Sequence, residues 1–227
     1  MERYALIHSV LPREFVLLQG TGCRWKMCTF CDYHSDVSDD PFAVNRDVLA
    51  QVQGVYGVLD VINSGSAMEM DEQTIALIRE IVKEKHIHTL WFEAHYMYKN
   101  QLAKFAEQFD GVEVKFRCGV ESFDSSLRGR WKKGIATSVT AEDVAKYFKG
   151  VCLLCCTEGD SKERILRDIA LAEQYFEYAS VNVFCENTTA IKRDDELAKW
   201  FVEEVYPALK ESGKIEVLVE NTDLGVG

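Results

Sequence analysis

Short apolar runs rich in β-branched residues recur along this chain, and helical patterns separate them. The runs occupy residues 15–18, 58–62, 89–92, 112–116, 151–154, 181–184 and 215–219. Apolar residues at helical spacing predict helices over residues 71–85, 99–109, 161–176 and 194–212, with Pro207 inside the last. Because a βα unit takes about 30 residues or more, the chain holds six or seven units but not the eight of a closed barrel. The sequence therefore predicts an α/β fold, an open, partial βα barrel of about six parallel strands, with residues 1–227 as a single domain.

Charge and cysteine content restrict the partners and the compartment. Twenty-six Lys and Arg against 37 Asp and Glu give a net charge of −11, which repels a polyphosphate backbone. Intact nucleic acid is therefore a poor partner, and the best candidate for a local basic patch, residues 128–133, is short. The sequence has neither a long apolar run nor a secretory amino terminus, and its eight cysteines do not lie in a small disulfide-rich domain. We expect a cytoplasmic protein with reduced thiols and no membrane segment.

Three cysteines, Cys23, Cys28 and Cys31, lie close together just after the first predicted strand. In parallel βα folds the chemistry lies at the carboxyl ends of the strands, so this run is on the functional rim. Three thiolates can hold three irons of a four-iron cluster and leave the fourth iron open to a small molecule. Plant-type two-iron ferredoxins share the spacing, but the next cysteine here, Cys118, belongs to another predicted strand. A structural zinc held by the three cysteines and His34 is a second alternative.

The cysteine run resembles the hallmark of the radical S-adenosylmethionine (SAM) superfamily, in which an aromatic residue precedes the third cysteine. Phe30 stands at that position, although the first gap is four residues instead of the usual three. Three more strand ends resemble the superfamily: the glycine-containing segment 63–66, a Gly-x-Glu-Ser motif at 119–122 followed by Lys-Gly at 133–134, and the loop 157–160. The resemblance extends from residue 23 to residue 160.

The resemblance implies a [4Fe-4S] cluster, SAM, and a 5'-deoxyadenosyl radical that abstracts hydrogen from a bound substrate. It makes Cys23, Cys28 and Cys31 the expected metal ligands. Phe30 and Tyr33 are expected to border the adenine, and the segment Ser64, Gly65 and Ser66 to meet the methionine end of SAM. The full set of expected cofactor-binding residues is Phe30, Tyr33, Ser64, Gly65, Ser66, Arg117, Glu121 and Asn182. A reductant such as flavodoxin or ferredoxin is the implied protein partner.

Polar residues near other strand ends indicate the substrate class. Glu93 and His95 end the third predicted strand, and Glu186 is assigned with Asn182 to the sixth; the three residues Glu93, His95 and Glu186 are the expected catalytic or substrate-binding groups. Acids and an amide at the mouth of a small barrel suit a small nucleoside or nucleotide with N–H donors. The small size, the segment 28–34 and the acidic barrel are similar to queuine lyases, which release queuine from queuosine or queuosine 5'-monophosphate. Another nucleoside- or metabolite-modifying radical SAM enzyme is the alternative within the superfamily, and an electron-transfer or zinc-binding module is the alternative outside it.

The other five cysteines are scattered on predicted strands, where buried free thiols are expected. They are Cys118, Cys152, Cys155, Cys156 and Cys185. A second cluster built from Cys152, Cys155 and Cys156 is disfavoured, because adjacent side chains of a strand point to opposite faces.

Overall fold

Eight strands form one sheet in which each strand lies beside the next one in the chain. The computed structural model describes residues 2–226. The strands are β1 (Tyr4–Ile7), β2 (Arg13–Leu18), β3 (Val58–Asn63), β4 (Thr89–Glu93), β5 (Glu113–Glu121), β6 (Gly150–Cys155), β7 (Tyr178–Val183) and β8 (Ile215–Leu218). Strands β2 to β8 are parallel, and β1 is antiparallel to β2. The predicted open βα barrel is confirmed, with seven parallel strands where about six were expected.

Helices follow most of the strands and cover one face of the sheet. They are α1 (Pro41–Leu49), α2 (Glu72–Glu84), α3 (Leu102–Ala106), α4 (Ser125–Arg130), α5 (Ala141–Ala145), α6 (Lys162–Tyr175), α7 (Asp195–Trp200) and α8 (Tyr206–Leu209), with single 3₁₀ turns at Tyr33–Ser35, Ala67–Glu69 and Tyr96–Tyr98. The helices predicted over 71–85 and 161–176 are confirmed as α2 and α6. Asp71 and Ser161 cap their first turns through side-chain oxygens, which accept backbone N–H groups.

Two predicted helices differ from their expected form. The pattern over 99–109 is α-helical only in α3, and the chain then tightens into turns. The pattern over 194–212 contains a π-helical segment, Phe201–Val205, between α7 and α8. Because Pro207 has no N–H to donate to the preceding turn, this wider segment lets the helix continue through the proline.

The hydrophobic core lies between the outer face of the sheet and the helices. It includes side chains that alternate along β2 and β3 with inner-face residues, and it continues around the sheet through β4 to β8. Fully or almost fully buried members are Val16, Leu18, Leu59, Val61, Phe92, Val151, Val181 and Ile215.

No helix among residues 2–226 combines the length and apolar character needed to cross a membrane. That residues 1–227 form a single domain stays a prediction, and its two end residues lie outside the described range.

A buried ionic layer crosses the inner face of the sheet. Asp60 on β3 accepts hydrogen bonds from Arg13 Nε at 2.8 Å and from both terminal nitrogens of Arg117 at 3.0 Å. Glu216 on β8 accepts from Arg13 at 2.7 Å and from the Tyr178 hydroxyl at 2.6 Å. Burial would raise the pKa of the Glu216 carboxyl, but these hydrogen bonds hold it below its ordinary value. The layer is charge-balanced, and it connects β2 to β8 across the lumen.

Candidate active site

The cysteine loop, residues 20–34, follows β2 and carries three partly exposed thiols, Cys23, Cys28 and Cys31. They are neighbours, since the charges of Cys23 and Cys31 both act on Cys28. Burial raises the pKa of Cys28 to about 11, and it also raises the pKa of Cys31. Lys133 opposes both shifts, so it is the nearby cation that favours the thiolate form of these ligands.

The donor set of the cysteine loop matches a four-iron cluster. In such a cluster each cysteine binds a different iron, and three thiolates leave the fourth iron open. Cys23, Cys28 and Cys31 are free and partly exposed, and the buried Lys133 lies beside them. Across residues 2–226, no three His, Cys, Asp or Glu side chains are placed to hold a single metal ion together, His34 included.

One side of the cysteine loop is held by the turn after α4. The indole nitrogen of Trp25 donates to the Lys132 carbonyl at 2.8 Å. The backbone N–H of Thr29 donates to the Trp131 carbonyl at 3.0 Å. These two hydrogen bonds lie on either side of Cys28 in the sequence, so this turn fixes the backbone that carries it.

The other side is held by the loop that follows β7. Asn187 Nδ2 donates to the Phe30 carbonyl at 2.8 Å. The backbone N–H and the hydroxyl of Thr188 both donate to Asp32 Oδ2, at 3.0 and 2.8 Å. We call Asn187 and Thr188 the β7 clamp. It fixes the backbone immediately before and after Cys31.

His95 supports the loop through Trp25 instead of offering a free nitrogen to a ligand. Its ring stacks on Trp25 at 5.5 Å, Nδ1 accepts from the Met97 N–H, and Nε2 donates to the Lys133 carbonyl at 2.7 Å. Burial and the Lys133 ammonium lower the pKa of His95 to about 4, so the ring is neutral at pH 7. A Cβ at Gly134, whose φ is +73°, would overlap the Trp25 ring, so glycine is needed there. The expected catalytic use of His95 therefore has no free ring nitrogen to support it.

The segment 63–66, at the end of β3, lies directly against the cysteine loop. A Cβ at Gly65 would overlap the Glu69 carboxylate and stand 3.2 Å from Cys23 Cα. The Ser64 hydroxyl accepts from the Gly20 N–H at 3.0 Å. Glycine at residue 65 thus allows two backbones to approach closely beside Cys23.

Glu69 joins this segment to its neighbours. Its carboxylate accepts from the backbone N–H of Ser66 at 2.8 Å and of Arg24 at 3.1 Å, and from the Tyr98 hydroxyl at 2.7 Å. The Ser66 hydroxyl in turn accepts from the His95 N–H at 3.0 Å. Both serine hydroxyls of the segment therefore hold loops in place, and the backbone N–H and carbonyl of Ser66 are bound to Glu69.

The carboxyl end of β5 brings charged groups together above Gly119. The register with β6 shifts between Gly119 and Glu121, and Glu121 has a φ of +64°, a left-handed conformation that costs energy in a residue with a Cβ. Lys133 Nζ lies 2.9 Å from Glu121 Oε1. A Cβ at Gly119 would stand 2.8 Å from Glu121 Oε1, 3.2 Å from Lys133 Nζ and 3.3 Å from Glu93 Oε1. A strained backbone in such a place is typical of ligand sites.

The Glu121–Lys133 pair is almost fully buried. Burial raises the pKa of Glu121, and Lys133 pulls it down. Burial lowers the pKa of Lys133, but Glu121 and the Cys28 thiolate together raise it above its ordinary value. The lysine is therefore protonated and lies between a carboxylate and the cysteine loop.

Glu93 is the carboxylate that remains open to the lumen. Its side chain is 34% exposed, and its nearest partners, Arg117 Nε and Cys152 Sγ, are both 3.6 Å away. Arg117 is bound to Asp60 by its two terminal nitrogens, and its Nε has no hydrogen-bond partner within residues 2–226. Arg117, predicted to bind the cofactor, thus lies beneath Glu93 as part of the buried layer. Glu93 is a hydrogen-bond acceptor with capacity for a ligand.

The remaining predicted site residues lie in different surroundings. Phe30 packs edge-on against Trp131, and Tyr33 is 56% exposed on the cysteine loop. Asn182 is half-buried on β7, with Leu154 and Leu218 as its register partners. The assignment of Glu186 to the sixth strand is wrong, because β7 ends at Val183. Glu186 is exposed and lies 3.4 Å from Lys192.

All eight cysteines are free in the described part of the chain. Cys118, Cys152, Cys155 and Cys156 are buried as expected, and Cys185 is partly exposed. Cys155 and Cys156 have their sulfurs 3.6 Å apart, but Cys152 faces Glu93 in the lumen. The three do not converge, in agreement with the argument against a second cluster.

Several residues of the site were not predicted as site residues. Sequence motifs could have indicated two of them: Lys133 belongs to the Lys-Gly pair, and Glu69 stands three residues after Ser66, as in a capping box. No local sequence motif marks the two residues of the β7 clamp.

One solved structure is similar to this chain over its entire length. It is a queuine lyase from Clostridium spiroforme bound to SAM and queuine; the two are 40% identical, the match covers 100% of this chain and 99% of that chain, and the TM-score is 0.94. A second solved structure is a cobalamin-dependent SAM radical enzyme, OxsB, with aqua-cobalamin and SAM bound. It is 14% identical, the match covers 87% of this chain and 31% of that chain, and the TM-score is 0.36. No family model matches the chain. None of the curated proteins matches it.

Proposed function

The chain belongs to the queuine lyase family, and we propose that it is a radical SAM enzyme that releases queuine from queuosine or queuosine 5'-monophosphate. This proposal rests on the 40% identity, over 100% of this chain and 99% of the other, to a queuine lyase bound to SAM and queuine. The cofactors are a [4Fe-4S] cluster and SAM, and the bond that breaks is the N-glycosidic bond of the substrate.

The cysteine loop and its neighbours hold the cofactors. Cys23, Cys28 and Cys31 are the ligands of the cluster, and Lys133 offsets their negative charge. When cluster and SAM are bound, they supply a 5'-deoxyadenosyl radical that abstracts a hydrogen atom from the sugar. The backbone of the segment 63–66, which packs against Cys23, meets the methionine end of SAM. Glu121, fixed by Lys133, accepts hydrogen bonds from polar groups of SAM.

The substrate base is bound by the open carboxylate of Glu93. A guanine-like base presents a ring N–H and an amino group as adjacent donors, and one carboxylate can accept from both. Arg117 Nε, 3.6 Å away, orients that carboxylate. Asn182 on β7 adds an amide to the same inner face. Glu186, exposed beside Lys192, has no part in this proposal.

The remaining assignments follow from charge and chemistry. A net charge of −11 disfavours intact transfer RNA, whose phosphates require cationic contacts, so the substrate is a free nucleoside or nucleotide. A one-electron reductant such as flavodoxin or ferredoxin supplies the electron. The compartment is a reducing cytoplasm, because eight free cysteines suit it.

Product analysis under anaerobic conditions tests the function. The enzyme, reconstituted with iron and sulfide, is incubated with SAM and dithionite and with queuosine, its 5'-monophosphate or queuosine-containing transfer RNA. We expect free queuine, detected by mass spectrometry, from the small substrates. No base from either small substrate would reject the lyase assignment. Preferential release from transfer RNA would reject the electrostatic argument.

Glu93→Gln tests the substrate assignment, with Glu186→Gln as the matched control. The neutral amide places a donor against the donors of the base, so queuine affinity should fall about 10- to 100-fold. SAM affinity should not change, and Glu186→Gln should behave like the wild-type enzyme. Calorimetry with queuine measures both variants. Equal queuine affinity in Glu93→Gln and in the wild type would show that a group other than Glu93 binds the base.

A further inference from the structure

Positive charge is concentrated beside the cysteine loop, although the chain as a whole is acidic. Residues 20–31 contain Arg24 and Lys26 and no Asp or Glu. Residues 125–141 contain four cations and again no acid, so neither segment holds any of the 37 acids of the chain. The four cations of the second segment are Arg128, Arg130, Lys132 and Lys133. Such segregation makes a local positive potential on a protein of net charge −11.

The two cationic segments lie side by side. Trp25 and Thr29 donate hydrogen bonds to the Lys132 and Trp131 carbonyls, and the Thr29 hydroxyl donates to the Arg130 carbonyl at 3.4 Å. Lys26, Met27 and Cys28 are the residues between these two anchors. The surface they form with the turn after α4 is therefore immediately next to one of the three cluster ligands.

Four of the six cations in these two segments are exposed, and one of them, Arg24, is engaged with Tyr98. Lys26, Arg130 and Lys132 make no ion pair with any acid that the structure describes, and the side chains of Lys26 and Lys132 make no hydrogen bond there either. Arg130 donates to the Gly159 carbonyl at 2.8 Å. Met27, beside Lys26, is 53% exposed. We call Lys26, Met27, Arg130 and Lys132 the basic patch; Arg128 and Lys133 are buried and do not belong to it.

We propose that the basic patch is the docking surface for an acidic protein that carries one electron. An exposed apolar side chain among unpaired charges has the anatomy of a transient interface, in which the charges set orientation and association rate. The chain as a whole shares the sign of an acidic partner, so a local concentration of cations favours approach at this face. The inference rests on the proposed function, because that function requires an electron from outside the chain.

A carrier docked on the basic patch would lie next to Cys28. One electron would leave the reduced centre of the carrier, which is thereby oxidised by one electron, and would reduce the cluster that Cys23, Cys28 and Cys31 would hold. No covalent bond forms or breaks in this step, and no proton is transferred. Contacts between exposed charges are weak at physiological salt. A carrier held largely by such contacts can therefore dissociate after it has been oxidised.

Paired charge reversals test the docking surface. The variant Lys26→Glu/Lys132→Glu alters the basic patch, and Lys83→Glu/Lys104→Glu on the exposed sides of α2 and α3 changes the net charge equally. Binding of flavodoxin to the cluster-loaded enzyme is measured by calorimetry, and cluster reduction by reduced flavodoxin is measured by stopped-flow absorbance. We expect the patch variant to lose at least about tenfold in both affinity and reduction rate, and the control variant to lose much less. Wild-type binding should weaken as salt is raised.

Dithionite separates this proposal from the lyase proposal. Dithionite-driven queuine release is measured in the wild type and in both variants, and the flavodoxin-driven rate of each protein is divided by its own dithionite-driven rate. The absence of dithionite-driven release from the wild type would reject the function, while flavodoxin binding still tests the docking. Equal losses in the two variants, or no loss in the patch variant, would overturn the docking surface. A raised KM for queuosine 5'-monophosphate with unchanged flavodoxin binding would instead assign the patch to the substrate phosphate and also overturn it.

Discussion

In our proposal each cysteine of the loop donates one thiolate to a different iron, so none of the three is dispensable. Cys23→Ala, Cys28→Ala and Cys31→Ala should each lose the cluster, whereas the wild type should bind about four irons per chain after anaerobic reconstitution. Iron analysis and electron paramagnetic resonance measure the result. Cys185→Ala is the control and should keep its iron, because the Cys185 thiol already contacts the Val219 carbonyl, 3.4 Å away. A colourless wild-type protein with one zinc would contradict the cluster.

Glu121 combines an uncommon backbone conformation with a buried charge, and both serve the cofactor in our proposal. Glu121→Gln keeps the shape of the side chain and removes its charge, so SAM binding should weaken by about 1 to 3 kcal/mol. Calorimetry measures this change, and the iron content should stay the same. The matched control is Glu113→Gln at the exposed, opposite end of β5. SAM affinity that does not change in Glu121→Gln would remove this residue from the cofactor site.

Local motifs made some site residues predictable, and long-range contacts hid others. Cys28 and Glu121 stand in short patterns whose spacing carries the information. The β7 clamp could not be found this way, because Asn187 and Phe30 are 157 positions apart. His95 was placed at the correct strand end, but only the folded chain shows that both of its ring nitrogens already have partners.

The loop after β7 is an element whose role is mechanical support. The double variant Asn187→Ala/Thr188→Val removes two of the three hydrogen bonds of the β7 clamp, each worth about 1 kcal/mol. We expect the backbone around Cys31 to open more often, so that the cluster is lost about tenfold faster to an iron chelator. Decay of the visible absorbance of the cluster gives the rate. The control Thr222→Val, in an exposed turn, should lose its cluster at the wild-type rate. A wild-type rate in the clamp variant as well would show that the turn after α4 is sufficient to hold the cysteine loop.

Long, periodic elements were predictable, and short ones were not. Helices α2 and α6 run for 13 and 14 residues with regular apolar faces, so their patterns were strong. Helix α5 has five residues and depends on a capping box at Thr140, and β1 has four residues at the sheet edge. Segments of this length gain most of their stability from tertiary packing, which no local pattern encodes.

The buried ionic layer stabilises the barrel as a whole. Asp60→Asn leaves Arg13 and Arg117 with one fewer buried negative charge, so the free energy of unfolding should fall by about 3 to 5 kcal/mol. Urea unfolding of the apoprotein, followed by circular dichroism, measures the loss. Asp110→Asn, in an exposed turn, should change it little. A loss as small as that of the control would show that the lumen is hydrated at Asp60.

The architecture followed from the succession of strands, but the inner layer did not. Consecutive parallel strands joined by crossover helices lie side by side, so the order of β2 to β8 could be inferred from the sequence. Asp60 and Glu216 are charged residues inside the apolar runs 58–62 and 215–219. Their partners could not be assigned, because Arg13 and Glu216 are separated by 203 positions.

The distribution of supports along the chain sets the order in which the enzyme can mature. The cysteine loop is synthesised early, whereas the supports on either side of Cys28 and Cys31 are 101 to 157 positions later. At about 5 to 20 residues per second, the ribosome exposes the three thiols for many seconds before those partners exist. We therefore expect iron and sulfide to be delivered after translation, to an almost complete chain. A nascent chain that stops before residue 187 would carry every ligand and still not retain a cluster.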